Sequence, residues 1–576
     1  MVSGEFGNGK PRMDLTVSTN FNVARRLSDH ARLAPERRAI VMPERIGSDG
    51  KREYKSMSFR ELDDDSSRLA SGLLTMGFRP GQRVVLLVRP GFDFVSLVFA
   101  SLKAGLVMVL IDPGMAGKHL VKCLAEAEPE AFIAISIVQA VRAMMRWRFP
   151  KVRHLVTVGR RWFWGGKTIE QVRQLGAAGF SATFQMADAP AAIIFTSGST
   201  GAPKGVLYSH ATFDGQVEQI QNHYQIPPGD VDLSGFPLFA LFNSAMGVTT
   251  VFPKMDFTRP ASIDPRNFLE AAADCGAVQS FGSPALWNTV SRFCDANHQS
   301  IPTLKRIFMA GAPASPRVLE RVKRTIHPQG EAFTPYGATE SLPVASISAS
   351  EVLNETASST REGKGVCVGN RFAGMEWKVI EISDNSIPEF SQAKCLPTGQ
   401  IGELAVCGQV VSKQYVTTRS ANALAKMRDG DRVWHRMGDV GYLDEHDRFW
   451  FCGRKSQRVR LSSGETLYTE PCEAIANEHP QVYRSALVAI QCEKGLKPAI
   501  VFETWPEAIP VSPSAIKHLE QEMMEQLAKH AITQSIQIAY WHPALPVDIR
   551  HNAKIFREGL SVWATKQWKK GRNRNE

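Results

Sequence analysis

The stretch that most constrains this chain is AAIIFTSGSTGAPKGVLYSH, residues 191 to 210. An apolar run, Ala191 to Phe195, reads as a buried strand. The ten residues TSGSTGAPKG follow, made of Gly, Ser and Thr with one Ala, one Pro and one Lys. A second apolar segment, Val206 to Tyr208, resumes at once. Such a loop offers bare backbone N–H groups, four hydroxyls and one ammonium. Glycine lets the backbone approach closely and amide dipoles favour negative charge, so phosphate is the natural ligand. A Walker loop would need G-x-x-x-x-G-K-[ST] running into a helix. Here Lys204 follows Gly201 by three residues, Gly205 comes next, and the continuation is strand-like. The loop is therefore expected to join two strands. A flexible surface linker, the other reading, fits poorly between two apolar strands.

TSGSTGAPKG resembles the phosphate-binding signature of the adenylate-forming superfamily, which holds acyl-CoA synthetases, peptide-synthetase adenylation domains and luciferases. The resemblance implies that Thr196, Ser197, Gly198, Ser199, Thr200, Gly201 and Lys204 hold the phosphates of ATP. The resemblance covers about residues 20 to 560; four further segments match in the family's order, and all four are expected at loop positions after strands. TPYGATES, 334 to 341, is similar to Y-G-x-T-E. It implies Tyr336 and Gly337 against the adenine, Thr339 at the α-phosphate and Glu340 on Mg²⁺, as suits an aromatic face and a hard carboxylate oxygen. MAGAPAS, 309 to 315, is similar to G-G-A-P and implies that Gly311, Ala312 and Pro313 line the nucleotide pocket. By itself it reads equally as a tight strand-to-helix turn. HRMGDVGYLDEHDRFWFCGR, 435 to 454, implies Asp439 on the ribose hydroxyls and Arg454 on ribose or phosphate. Asp439 alone would read as a turn aspartate. LPVDIRHNAKIFR, 545 to 557, implies Lys554 as the catalytic lysine that bridges carboxylate oxygen and α-phosphate, where charge builds during in-line displacement. Outside this context it would read as a surface lysine.

The departures from the family pattern are informative. Ser456 stands where a hinge Asp is usual, Ala553 precedes Lys554 in place of Gly, and FPLFALF carries Ala240 where a histidine is common. The last change removes a gate-like group near the acyl carboxylate. IDPGMAGKHL (111–120), FPLFALFNSAMG (236–247) and TPYGATESLPVASI (334–347) resemble one subgroup, the β-lactone-forming enzymes of bacterial long-chain olefin biosynthesis. That subgroup adenylates a 2-alkyl-3-hydroxy fatty acid, whose own hydroxyl then displaces AMP without CoA. An internal hydroxyl has a high effective molarity towards an activated ester. The resemblance implies ATP and Mg²⁺ as cofactors, a long-chain β-hydroxy acid as substrate, and a β-lactone decarboxylase and a dehydrogenase as pathway partners. Two other readings stay open. One is a long-chain fatty acyl-CoA synthetase or a fatty acyl-AMP ligase loading a carrier. The other is a non-catalytic nucleotide-binding protein, against which Lys204, Glu340, Asp439 and Lys554 all speak.

A chain of 576 residues is expected to form two or more domains. A capping box at Ser58 and Glu61 opens a helix to about Met76. Strands at Val84–Val88, Val107–Ile111, Ala131–Ser136 and His154–Val158 then alternate with helices, which predicts a parallel sheet covered on its faces. The fold class is α/β: a large N-terminal domain of layered sheets and helices with a β-rich subdomain from about Glu376 to Tyr442, and a small mobile C-terminal α+β domain. The expected boundaries are a disordered 1–14, an AMP-binding domain over 15–453, a hinge at 454–460 and a C-terminal lid over 461–576 with a basic tail. Nine cysteines without a C-x-x-C pair fit a reducing cytosol and a cytoplasmic location. The N-terminus has no apolar core of a secretory signal. The apolar run Phe94–Ile111 carries Lys103 and Gly105 at its centre, so it reads as helix, turn and strand, and the protein is not integral to a membrane. The net charge is +11, yet no basic stripe interleaved with aromatics is read here, so no nucleic-acid partner is expected. The tail cations Lys566, Lys569, Lys570, Arg572 and Arg574 read as a solvated, partly disordered end, with docking to an acidic partner as the other reading.

Overall fold

Short apolar runs separated by amphipathic helices can bury both strand faces only between helix layers. The computed structural model describes residues 20–111, 117–196, 203–492, 495–547 and 555–572. It carries a seven-stranded and a nine-stranded sheet, with a six-stranded sheet beside them and a three-stranded one near the C-terminus. This is the α/β fold class expected.

In the seven-stranded sheet, Arg83–Leu87, Val107–Leu110, Ala131–Ile135, His154–Val158 and Pro190–Phe195 run parallel. Gly205–Ser209 returns antiparallel on Pro190–Phe195, so the glycine-rich loop joins two strands, as its sequence requires. The Phe59–Thr75 helix starts on the Ser58–Glu61 capping box. The apolar run at 94–111 is a helix, Phe92–Lys103, and a strand, Val107–Leu110. Lys103 is tolerated in that core because its ammonium donates to Asp63 and Ser67 at 2.6 and 2.8 Å. Among the described residues no helix is long and apolar enough to cross a membrane.

The nine-stranded sheet has a parallel centre of Val231–Ser234, Thr249–Val251, Gln279–Gly282, Arg306–Met309 and Glu331–Ala338. It then turns antiparallel through the hairpin of Glu331–Ala338 and Ser341–Ser348. The six-stranded sheet is antiparallel, built round Gly402–Cys407, Arg432–Leu443 and Phe449–Arg454. FPLFALF, read only as an aromatic segment, leads into a helix, Phe239–Met246, in which Ala240 is fully buried.

Beyond Arg454, one turn over Lys455–Gln457 leads to a short hairpin and then to the three-stranded sheet of Val482–Cys492, Gly495–Thr504 and Ala539–Trp541. The expected partial disorder of the tail is corrected here up to residue 572, while Lys566, Lys569 and Lys570 are exposed as expected. Arg557–Arg572 is a helix whose Leu560 and Ala564 are buried in the core of that sheet, and the Lys497 ammonium lies 4.9 Å over the Trp568 ring. Lys566, Lys569 and Lys570 lie on this helix, whose apolar side is buried; Arg574 lies outside the described residues. The expected disorder of residues 1–14 lies outside the described residues.

Candidate active site

The base of the glycine-rich loop is closed by its own backbone. Thr196 N–H donates to the Lys204 carbonyl, and Lys204 N–H donates to Thr196 Oγ1, both at 3.0 Å. Ser197, Gly198, Ser199, Thr200 and Gly201 lie outside the described residues. Gly205 N–H donates to Thr417 Oγ1 at 2.7 Å. A Cβ on Gly205 would lie 2.9 Å from Ile193 and 3.1 Å from Thr417, so only glycine lets the 411–417 segment dock there.

Two of the expected loop positions need correction. Tyr336 and Gly337 lie within the strand Glu331–Ala338, and only Thr339 and Glu340 form the hairpin turn. Asp439 lies inside the twelve-residue strand Arg432–Leu443, directly opposite Arg454 in register. Gly438, with φ +67°, makes a bulge there, shown by the register shift against Glu403–Ala405. A glycine that reads as a turn in sequence thus re-aims the next side chain within a sheet.

The hairpin tip is fixed from three sides. Tyr208 donates its hydroxyl to the Thr339 carbonyl at 2.6 Å, Ser412 N–H donates to the Glu340 carbonyl at 2.8 Å, and Tyr415 donates its hydroxyl to Glu340 Oε1 at 2.6 Å. Two ammonium groups flank the Tyr415 ring, Lys204 at 5.1 Å and Lys426 at 5.6 Å from its centroid. Lys426 also donates to the Ser412 carbonyl. Burial pushes the Lys426 ammonium down to about 7; Glu340 opposes this, and Lys204 adds to it. Its strand partner His435 is held well below the usual imidazole value, chiefly by burial and then by Lys426. Two ammonium groups and one carboxylate, Glu340, thus meet at the Tyr415 ring. Tyr208, Tyr415 and Lys426 were not singled out from sequence, and nothing local distinguishes them. ANALAKMRD reads as an ordinary helix end with a solvated lysine.

On the neighbouring sheet the Tyr336 hydroxyl donates to Asp439 Oδ2 at 2.5 Å, and Arg454 Nη1 lies 2.8 Å from Oδ1. Burial raises the Asp439 carboxyl, with Arg454 opposing, and burial followed by Asp439 raises the Tyr336 phenol. Oδ1 is buried and, despite the nearby guanidinium, accepts no aligned hydrogen bond, which leaves it able to take a ligand hydroxyl. Gly311, Ala312 and Pro313 follow the strand Arg306–Met309, which pairs in parallel with the strand that carries Tyr336. No hydrogen bond joins 311–313 to the other candidates among the described residues. Lys554 lies outside the described residues.

The donors suit Mg²⁺ held together with a nucleotide. Among the described residues no three His, Cys, Asp or Glu side chains converge, and Mg²⁺ needs only one or two carboxylates when phosphate oxygens complete its shell. Glu340 is one carboxylate placed where it could serve. Tyr415 occupies Oε1, and no hydrogen bond or ion pair among the described residues occupies Oε2.

Two paired strands joined by the Gly/Ser/Thr loop, Glu340 at the tip of a hairpin that Tyr415 ties to Lys204, and Asp439 with an oxygen open to a hydroxyl are groups that a nucleotide site can use. Residues 27–416 match the model of the AMP-binding enzyme family, and the chain belongs to that family. It is 43% identical to the olefin beta-lactone synthetase of Xanthomonas campestris pv. campestris, covering 96% of this chain and 99% of that one. It is 42% identical to the olefin beta-lactone synthetase of Stenotrophomonas maltophilia, covering 95% and 99%. ATP-bound MatB from Rhodopseudomonas palustris shares the fold, with a TM-score of 0.76, 19% identity and coverage of 95% and 99%.

Proposed function

We propose that this chain is an ATP-dependent acid ligase that adenylates a long-chain 2-alkyl-3-hydroxy fatty acid and closes it to a β-lactone. The carrying observation is the 43% identity to an olefin beta-lactone synthetase over nearly the whole chain. In the first step a carboxylate oxygen attacks the α-phosphorus and pyrophosphate leaves. In the second, the 3-hydroxyl oxygen attacks the acyl carbon, the bond to AMP breaks, and the hydroxyl proton goes to a base. Lys204 and Lys426 are assigned to the polyphosphate, where two cations on one phenol ring offset the charge of leaving pyrophosphate. Thr339 reaches the α-phosphate. Glu340 holds Mg²⁺, which when bound neutralises phosphate charge. Tyr336 and Gly337, with Gly311, Ala312 and Pro313, take the adenine. Asp439 takes the ribose through Oδ1, with Arg454 yielding its place, and Lys554 enters from the C-terminal segment beyond a hinge at 454–460. The decarboxylase and dehydrogenase partners belong to this reading.

Ala240, buried in an apolar core, supplies no polar gate, in keeping with a second step that admits no thiol. The test is product analysis with ATP and Mg²⁺ on a 2-alkyl-3-hydroxy acid, with CoA present and omitted. AMP and lactone in equal amounts without CoA are expected. Strict dependence on CoA, with a thioester product, contradicts the reading and returns the chain to the acyl-CoA synthetases.

A further inference from the structure

At one edge of the seven-stranded sheet lies a surface that the candidate site does not use. Between Glu130 and Glu170 the sequence holds no acidic residue but eight Arg or Lys, against a net charge of +11 for the whole chain. Four of them, Arg146, Arg148, Arg160 and Arg161, form no ion pair among the described residues, whereas nearby Lys151 is paired with Glu128 at 3.0 Å. The same segment exposes Ile137 (60%), Met144 (63%), Trp147 (70%), Trp162 (52%) and Phe163 (77%). No basic stripe with aromatics was read from the sequence; the exposures correct that.

These side chains are presented by ordered structure. Ile137 and Met144 are seven residues apart on the helix Ser136–Met144, hence on one face, and Trp147 sits on the turn Arg146–Arg148 that follows. The loop holding Trp162 and Phe163 is tied to the start of this helix by Ser136 Oγ, which donates to the Arg160 carbonyl at 2.5 Å. Its anchor is Trp164, buried, with the indole N–H donating to Thr157 at 2.9 Å. The Trp162 and Phe163 rings both lie 5.4 Å from the Trp164 ring. Two apolar tips are thus held out into water beside unpaired guanidinium groups.

We propose that this face docks the enzyme on an anionic phospholipid surface. Trp and Phe settle at headgroup level, and aliphatic side chains enter the acyl boundary. Arg161 donates to the Gly166 carbonyl, but none of the four guanidinium groups is neutralised by a carboxylate among the described residues, so each keeps its charge for lipid phosphates, and each cation near an anionic leaflet adds to binding. Exposed Ile137 and Met144 separate this from a nucleic-acid surface, where stacking aromatics track a basic groove. Docking here would bring the enzyme to where a long-chain acid resides, but the inference stands independently of what the adenylate becomes.

The test is flotation of the full chain with unilamellar vesicles of phosphatidylglycerol and phosphatidylethanolamine, against vesicles of phosphatidylcholine alone. The wild type is expected to float with the anionic vesicles only, with a blue shift of Trp emission. The double substitution Trp162→Ala, Phe163→Ala and, separately, Arg146→Gln, Arg148→Gln, Arg160→Gln, Arg161→Gln should each lower partition at least tenfold. Both should keep ATP–pyrophosphate exchange on a detergent-dispersed acid, which shows that they fold. No flotation of the wild type overturns the proposal. So does unchanged flotation of both variants, or binding to duplex DNA that vesicles do not compete.

Discussion

Lys426 and Lys204 share the ring of Tyr415, whose hydroxyl is held by Glu340. Two like charges held this close repel each other until an anion arrives. If Lys426 serves the polyphosphate, Lys426→Ala should raise the KM for ATP and the inhibition constant of pyrophosphate about tenfold, the worth of one charge-assisted contact. Lys426→Arg should restore most of both, measured by ATP–pyrophosphate exchange. The sign of the pH effect follows from burial. The ammonium, pushed down to about 7, is mostly neutral at pH 8 and charged at pH 6. An anion favours the charged form, so ATP binding at pH 8 should take up protons in the wild type and less in Lys426→Arg. Calorimetry in buffers of different ionisation enthalpy reads this directly. Thr339 and Glu340 were legible because their motif is a contiguous stretch, although Tyr208, Ser412 and Tyr415 fix the hairpin tip from elsewhere in the chain. Lys426 was not, because its surroundings exist only once the 411–417 segment docks on Gly205.

At the scale of elements, Arg557 anchors the start of the C-terminal helix. Its guanidinium grips both oxygens of Glu473, at 2.7 and 2.6 Å from Nη2, and reaches Gln457 at 3.3 Å. Glu473 also accepts the Leu487 N–H at 2.8 Å. One buried pair thus joins the helix Thr469–Asn477, the strand Val482–Cys492 and the turn after Arg454. Arg557→Met leaves a buried carboxylate unpaired, which costs about 3–5 kcal/mol. A lower Tm is expected, together with a fall in the adenylation rate and little change in ATP affinity. Adding Glu473→Gln should recover much of the Tm. The alternation of strands and helices was readable from sequence because apolar period and turn residues are local signals. The bulge at Gly438 was not, since glycine before aspartate reads as a turn unless the partner strand is known. The C-terminal helix was misread as a tail because its cations outweigh the few residues that it buries.

For the whole molecule, the fold class and the adenylation chemistry were legible from one loop and four short motifs, because each is a contiguous stretch that can be read without its neighbours in space. The fate of the adenylate is less local. One sign of it in the sequence is Ala240, which stands out only by what it lacks. The central claim is that the carboxylate is activated and the 3-hydroxyl keeps its oxygen. The direct measurement uses a 2-alkyl-3-hydroxy acid labelled with ¹⁸O, once in the carboxylate and once in the hydroxyl. Mass spectrometry should find one carboxylate ¹⁸O in AMP, and the hydroxyl ¹⁸O retained in the lactone ring. Label-free AMP from the carboxylate-labelled acid, or a ring oxygen drawn from the carboxylate, would mean that the hydroxyl is the activated group and would contradict the account.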